Sequence, residues 1–255
     1  MNTEAPEPGD FLCAPWNYIR IAPWLFSLLV LALLAAMRFY AVFGPPRARI
    51  LFLAHCLVMW ALPFLVLTRQ GRREIGLRKQ GNSAKALALS ALAGVCAGFA
   101  IYAVSMILFG SSLDNLCVSI RDSFQLDQLL AVMPRAAAFA IIVLPAMILT
   151  PIGEEILFRG VIQQSFAMRW NLPVATIVNG LAFGLIHLHV HGIVHDAAGF
   201  HLRIVSATLT VLFLAGVSAV FTLCRLRSGS LYAAMVAHAA CNLAMIGAIF
   251  FYPPV

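Results

Sequence analysis

The sequence predicts an all-α fold, a polytopic transmembrane helical bundle of about seven spans. Three observations predict it. First, 62% of the 255 residues are hydrophobic and only 11% are charged, whereas soluble domains carry about 25% charged residues; the mean hydropathy is +0.92. Second, the apolar residues fall into seven runs, near 22–43, 50–67, 84–109, 136–158, 172–190, 203–224 and 230–251, most of them close to the roughly 20 residues a helix needs to cross a bilayer. Third, basic residues crowd into the short stretches between runs, the positive-inside pattern. That distribution sets nucleic acid aside as the meaning of the net charge of +7.

Each element follows in order. The opening MNTEAPEPGD is acidic and proline-rich and lacks the basic n-region of a signal peptide, so the first run is expected to stay as a membrane anchor. Arg38 near its end reads as a snorkelling side chain, as does Arg135 before the fourth run. The 68–85 stretch holds Arg69, Arg72, Arg73, Arg78, Lys79 and Lys85, which places it in the cytoplasm. Alternation then brings Arg159, Arg169, Arg225 and Arg227 near the same side, with the N-terminus. Arg47 and Arg49 are the exceptions. The opposite side receives 110–134, with Asp114, Asp122 and Asp127 and an expected short interfacial helix, and the histidine-rich 188–202 stretch. Trp16, Tyr18, Trp24, Trp170 and Tyr252 fall near predicted interfaces, as belt aromatics do.

The fourth run is irregular. Pro145, Pro151 and Gly153 interrupt it, and a break near Thr150 followed by a fresh helix from about Ile152 to Met168 is expected. Glu154 would then sit in a first turn, where the helix dipole favours negative charge. The chain divides into residues 1–110, N-terminal helices with the basic loop, and residues 135–252, a four-helix core. The cysteines (Cys13, Cys56, Cys96, Cys117, Cys224, Cys241) form no CxxC pair and read as small packing residues rather than a disulfide or zinc framework.

Three constellations carry chemistry. PIGEEILFRG, residues 151–160, sets Glu154, Glu155 and Arg159 inside hydrocarbon. Glu155 and Arg159 are an i, i+4 pair, which leaves Glu154 as an intramembrane charge without a local partner, a functional hypothesis by default. FGLIH puts Phe183 and His187 at the same spacing on the next span. Counted from a turn near Arg169–Pro173, Glu154 and His187 lie at one depth, about 24 Å in. A carboxylate opposite an imidazole can act as general base on a water. HAACN puts His238 and Asn242 on one face of the last span, with N–H groups suited to an oxyanion; this count makes them shallower than Glu154, a gap that tilt or a longer loop would close.

In order and spacing, GEEILFR, FGLIH and HAACN resemble the three motifs of the CPBP (Abi) family of intramembrane proteases, which includes the type II CAAX prenyl endopeptidases. The resemblance implies a glutamic-type endopeptidase with no metal cofactor and a catalytic core in the C-terminal half. It implies Glu154 and His187 sharing the attacking water and His238 and Asn242 stabilising the oxyanion. Glu155 and Arg159 would support Glu154, with Phe183 beside them. It further implies a membrane-anchored protein or peptide substrate and roles in maturation, C-terminal sorting or bacteriocin immunity, while the basic loops and compact chain suit a plasma (inner) membrane location.

Other readings exist. HLHVHGIVHD offers His187, His191 and His195, which would share a face if helical, as ligands of a zinc-dependent hydrolase. A non-enzymatic immunity or binding protein would use the fold without Glu154 chemistry. A proton-coupled transporter would also use an intramembrane Glu and His, but no internal repeat is visible.

Overall fold

The computed structural model describes residues 11–77 and 83–253. The opening decapeptide, Arg78 and Lys79 lie outside the described residues. Among the described residues seven helices are long and apolar enough to cross a membrane, and the protein is a multi-pass membrane protein. They are α1 (Pro23–Phe43), α2 (Ile50–Val66), α3 (Ala84–Phe109), α4 (Arg135–Arg169), α5 (Leu172–Ile186), α6 (Ile204–Ser228) and α7 (Leu231–Phe251). The predicted edges hold closely except at three C-terminal ends: helix continues past the apolar run in α4 and α6, and α5 stops at Ile186, short of the expected 190. Polar caps fix several starts: Ser83, Asn171 and Ser230 each accept a hydrogen bond from a backbone N–H of the first turn.

Small residues decide how the helices approach. Gly94 and Gly98 of α3 lie so close to α7 that an added Cβ would sit 1.9 Å from the Ala237 carbonyl oxygen and 2.3 Å from that of Cys241. Gly180 and Gly184 of α5 meet Ala215 and Val211 of α6 in the same way, at 3.2 and 2.5 Å. Both are G-x-x-x-G pairs, which let backbones touch where lipid supplies no hydrophobic drive for association. These contacts fix α7 and α5, the two helices that carry histidines to the site.

The segment between α3 and α4 forms two short helices, Leu116–Ser123 and Leu126–Val132, where a single one was expected. The histidine-rich stretch is a 3-10 turn, His187–His189, then a hairpin of β1 (Ile193–Asp196) and β2 (Gly199–Leu202), with Ile193 opposite Leu202 and Asp196 opposite Gly199. All six cysteines are free thiols.

Candidate active site

The site begins with α4. Pro145 and Pro151 withdraw two backbone donors, yet the helix runs unbroken from Arg135 to Glu155, against the expected break near Thr150. Nearby groups take up part of the polar backbone: Trp60 donates to the Leu149 carbonyl at 2.9 Å, and Asn242 Nδ2 to that of Ala146 at 2.8 Å. Irregularity comes later, as a fully buried π-helical stretch, Ile156–Ile162, of the kind that recurs at functional sites. Glu154 therefore lies deep inside a helix, and no helix N-terminus compensates its charge.

Arg38 of α1 does that instead. It is not a snorkelling side chain. It is 5% exposed, its Nη1 donates to Glu154 Oε1 at 2.7 Å and its Nε to His189 Nε2 at 3.0 Å. A buried carboxylate is tolerated only with such a partner. Arg159 pairs with Glu155, Nη1 to Oε1 at 3.0 Å, and its guanidinium lies against the rings of Phe183 and Phe221, 4.4 and 5.1 Å from their centroids. The expected partnership of Arg159 with Glu155 is present; support of Glu154 comes from a different arginine.

The histidines converge on Glu154. His187 Nε2 and His238 Nε2 each lie 3.9 Å from Glu154 Oε2, an oxygen that is buried and has no hydrogen-bond partner. Chemistry assigns the tautomers. His187 Nδ1 is 2.7 Å from the Phe183 carbonyl oxygen, which can only accept, so Nδ1 carries the proton. His238 Nδ1 is 2.8 Å from Glu155 Oε1, and likewise donates to the carboxylate. Each ring thus turns its Nε2 toward Glu154 Oε2. Aromatic contacts hold the rings: Phe221 stacks on His238 at 4.8 Å, and Phe183 lies 4.7 Å from His187.

Depth explains why these groups meet. Arg38, Glu154 and His187 lie fifteen residues from Pro23, Arg169 and Leu172, the ends of α1, α4 and α5 on one side, or about 22 Å in at 1.5 Å per residue. His238 is only seven residues into α7, yet it reaches the same place. The start of α7 is itself sunk: Ser230 and Leu231 are fully buried, and the Leu231 N–H donates to the Gly76 carbonyl at 3.0 Å. Entry beneath the 75–76 turn closes the gap that counting left.

Glu154, His187, His238 and Asn242 line one cavity of about 670 Å³, with Thr150 and Arg38 also on its wall. The short helices after α3 and the link between them contribute Leu116, Ser123 and Gln125 to it. Its volume falls within the range of ligand-binding pockets, roughly 300–1,000 Å³.

The proposed histidine metal set is not assembled. The stretch is not helical, so His187, His191 and His195 share no face. His191 bonds Ser119 Oγ at 2.7 Å, and His195 stacks on Phe200 at 4.3 Å. Among the described residues no three His, Cys, Asp or Glu side chains are placed to hold a metal ion. Sequence reasoning missed Arg38 and His189. Arg38 was an intramembrane charge at the depth of Glu154, and that coincidence was available in the sequence. His189 was hidden among several histidines.

Residues 136–244 match the family described as type II CAAX prenyl endopeptidase Rce1-like. The matched segment spans all three motifs and ends just after Asn242. No curated protein and no solved structure matches the chain. This segment, less than half of the chain, is similar to the CPBP, or CAAX protease-like, family.

Proposed function

We propose that the protein is a glutamic-type intramembrane endopeptidase. The observation that carries this reading is the convergence of three groups: the unpartnered Glu154 Oε2 and the Nε2 atoms of His187 and His238, each 3.9 Å from it, at the wall of a cavity of about 670 Å³. A separation of 3.9 Å is too long for a direct hydrogen bond and suits a bridging water.

The chemistry follows from donors and acceptors. The water gives one proton to Glu154 Oε2 and hydrogen-bonds His187 Nε2 with the other, and its oxygen attacks the peptide carbonyl carbon. The carbonyl π pair moves to oxygen. Asn242 has an Nδ2–H beyond the one spent on Ala146, and this points the residue to the oxyanion. His238 can donate there only as an imidazolium, because its Nδ1–H is already committed to Glu155; the Glu155 carboxylate would balance that charge at 2.8 Å. The proton on Glu154 passes to the leaving amine as the C–N bond breaks. Glu155, Arg159 and Phe183 hold His238 and His187 in place. The catalytic unit is the 135–252 core.

The substrate in this reading is a membrane-anchored protein or peptide, with roles in maturation, C-terminal sorting or bacteriocin immunity. The chain sits in the plasma (inner) membrane with its N-terminus cytoplasmic. Arg69, Arg72 and Arg73 in the short helix after α2, on the side opposite Asp114, Asp122 and Asp127, support that orientation.

The test compares protein termini in host membranes carrying the native chain or Glu154→Gln at matched expression. Termini present only with the native chain are expected. Identical termini, with any cellular phenotype retained by the variant, would replace this reading with that of a binding or immunity protein.

A further inference from the structure

We propose that Arg38 is a positioning residue for Glu154, so that the catalytic apparatus extends beyond the family-matched segment into α1. The inference rests on the reading of Glu154 as the base.

Arg38 lies almost a hundred residues before the match begins at 136, yet it makes the shortest contact to Glu154, 2.7 Å from Nη1 to Oε1. Its second bond makes it more than a counter-ion. His189 gives its Nδ1–H to the Ile186 carbonyl oxygen at 2.5 Å. Its Nε2 is therefore an acceptor, and Arg38 Nε fills it at 3.0 Å. One rigid, planar guanidinium thus ties the carboxylate on α4 to the 3-10 turn that ends α5, the turn on which His187 sits. With Oε1 held by Arg38, the free Oε2 is the oxygen presented to His187 and His238. The ring of Phe52, 5.6 Å from the guanidinium carbon, holds Arg38 from the α2 side. Removing Arg38 leaves the carboxylate free to rotate and the 187–189 turn without its tie. A misplacement of about 1 Å in a catalytic group costs on the order of 100-fold in rate.

Lysine supplies the charge but not the fork, so the conservative variant separates pairing from positioning. Full-length native chain, Arg38→Met, Arg38→Lys and Glu154→Gln are compared in two ways. Isotope-edited infrared spectra locate the Glu154 carboxylate band as the band that Glu154→Gln removes. The rate of appearance of Glu154-dependent termini in host membranes reports cleavage. The expected result is a displaced band and an approximately 100-fold slower cleavage in Arg38→Met. In Arg38→Lys the band stays near native and cleavage is intermediate. Arg47→Met, an exposed charge loss, changes neither. An unmoved band in Arg38→Met, or native cleavage in that variant, overturns the proposal. If Arg38→Met does not accumulate, Arg38→Lys decides alone: native cleavage there also overturns it. Should Glu154→Gln leave the termini unchanged, the protease reading fails separately, while the band still decides whether Arg38 orients Glu154.

Discussion

Glu154 and Glu155 are adjacent in sequence, both buried, and each tied through Oε1 to an arginine. They nonetheless occupy two different regions. Glu155 faces inward, where Arg159 and His238 share its Oε1 and aromatic rings close over the arginine. Glu154 faces the cavity, with a free oxygen between two imidazoles. Both second oxygens are buried without a hydrogen-bond partner, but only that of Glu154 lies 3.9 Å from two imidazoles at the cavity wall; in the proposed mechanism one glutamate is therefore a strut and the other a reactive group.

The sharpest way to break this comparison is to remove each charge isosterically. Glu154→Gln should reduce cleavage by about 10²- to 10⁴-fold, the usual value of a general base, and should also lower stability, because Arg38 is left buried without its counter-charge. Glu155→Gln should lower stability for the same reason at Arg159 and disturb His238, with partial cleavage retained. Equal loss of cleavage in the two variants would dissolve the distinction.

Next in size is Arg159→Met. It leaves Glu155 as an uncompensated buried charge, which costs about 3–5 kcal/mol. Denaturation of the variant in detergent measures this, and a double variant with Glu155→Gln should recover much of it. Recovery close to zero would mean that the pair is not what tolerates these charges.

Packing at a distance comes third. Gly98→Leu drives a side chain into the Cys241 carbonyl and Ala244, and overpacking of this kind costs about 1–3 kcal/mol or more. Because α7 carries His238 and Asn242, cleavage should fall along with stability. Gly216→Ala meets nothing within 4 Å and should leave cleavage at the native level. The smallest effect belongs to the hairpin: His195→Ala removes only a stack on Phe200, so cleavage should persist. Loss of activity there would revive the metal reading of the histidine stretch.

The spans were legible because each is a long apolar run bounded by caps and charges, and only the ends of α4 and α6 ran past their hydrophobic signal. The Glu155–Arg159 pair and the opposition of Glu154 to His187 were legible because i, i+4 spacing and equal depth are local arithmetic. The unbroken α4 was not. Prolines announce lost donors but cannot say whether Trp60 and Asn242 stand by to serve the backbone around them. Arg38 was misread because position near a span end suggests escape to water, whereas its true partners lie 116 and 151 residues away.

By itself, then, the sequence determined the membrane class, the seven helices and the residue types able to do hydrolytic chemistry, because hydrophobic length and helical periodicity are properties of short stretches. Only the tertiary structure decided which arginine serves which glutamate and which carboxylate oxygen stays free. It also decided that α7 enters deep enough to bring His238 to Glu154. Those are outcomes of helix depth and rotation in the packed bundle, set by glycine contacts such as Gly94 and Gly98 against α7, where a shift of a few ångströms exchanges one partner for another.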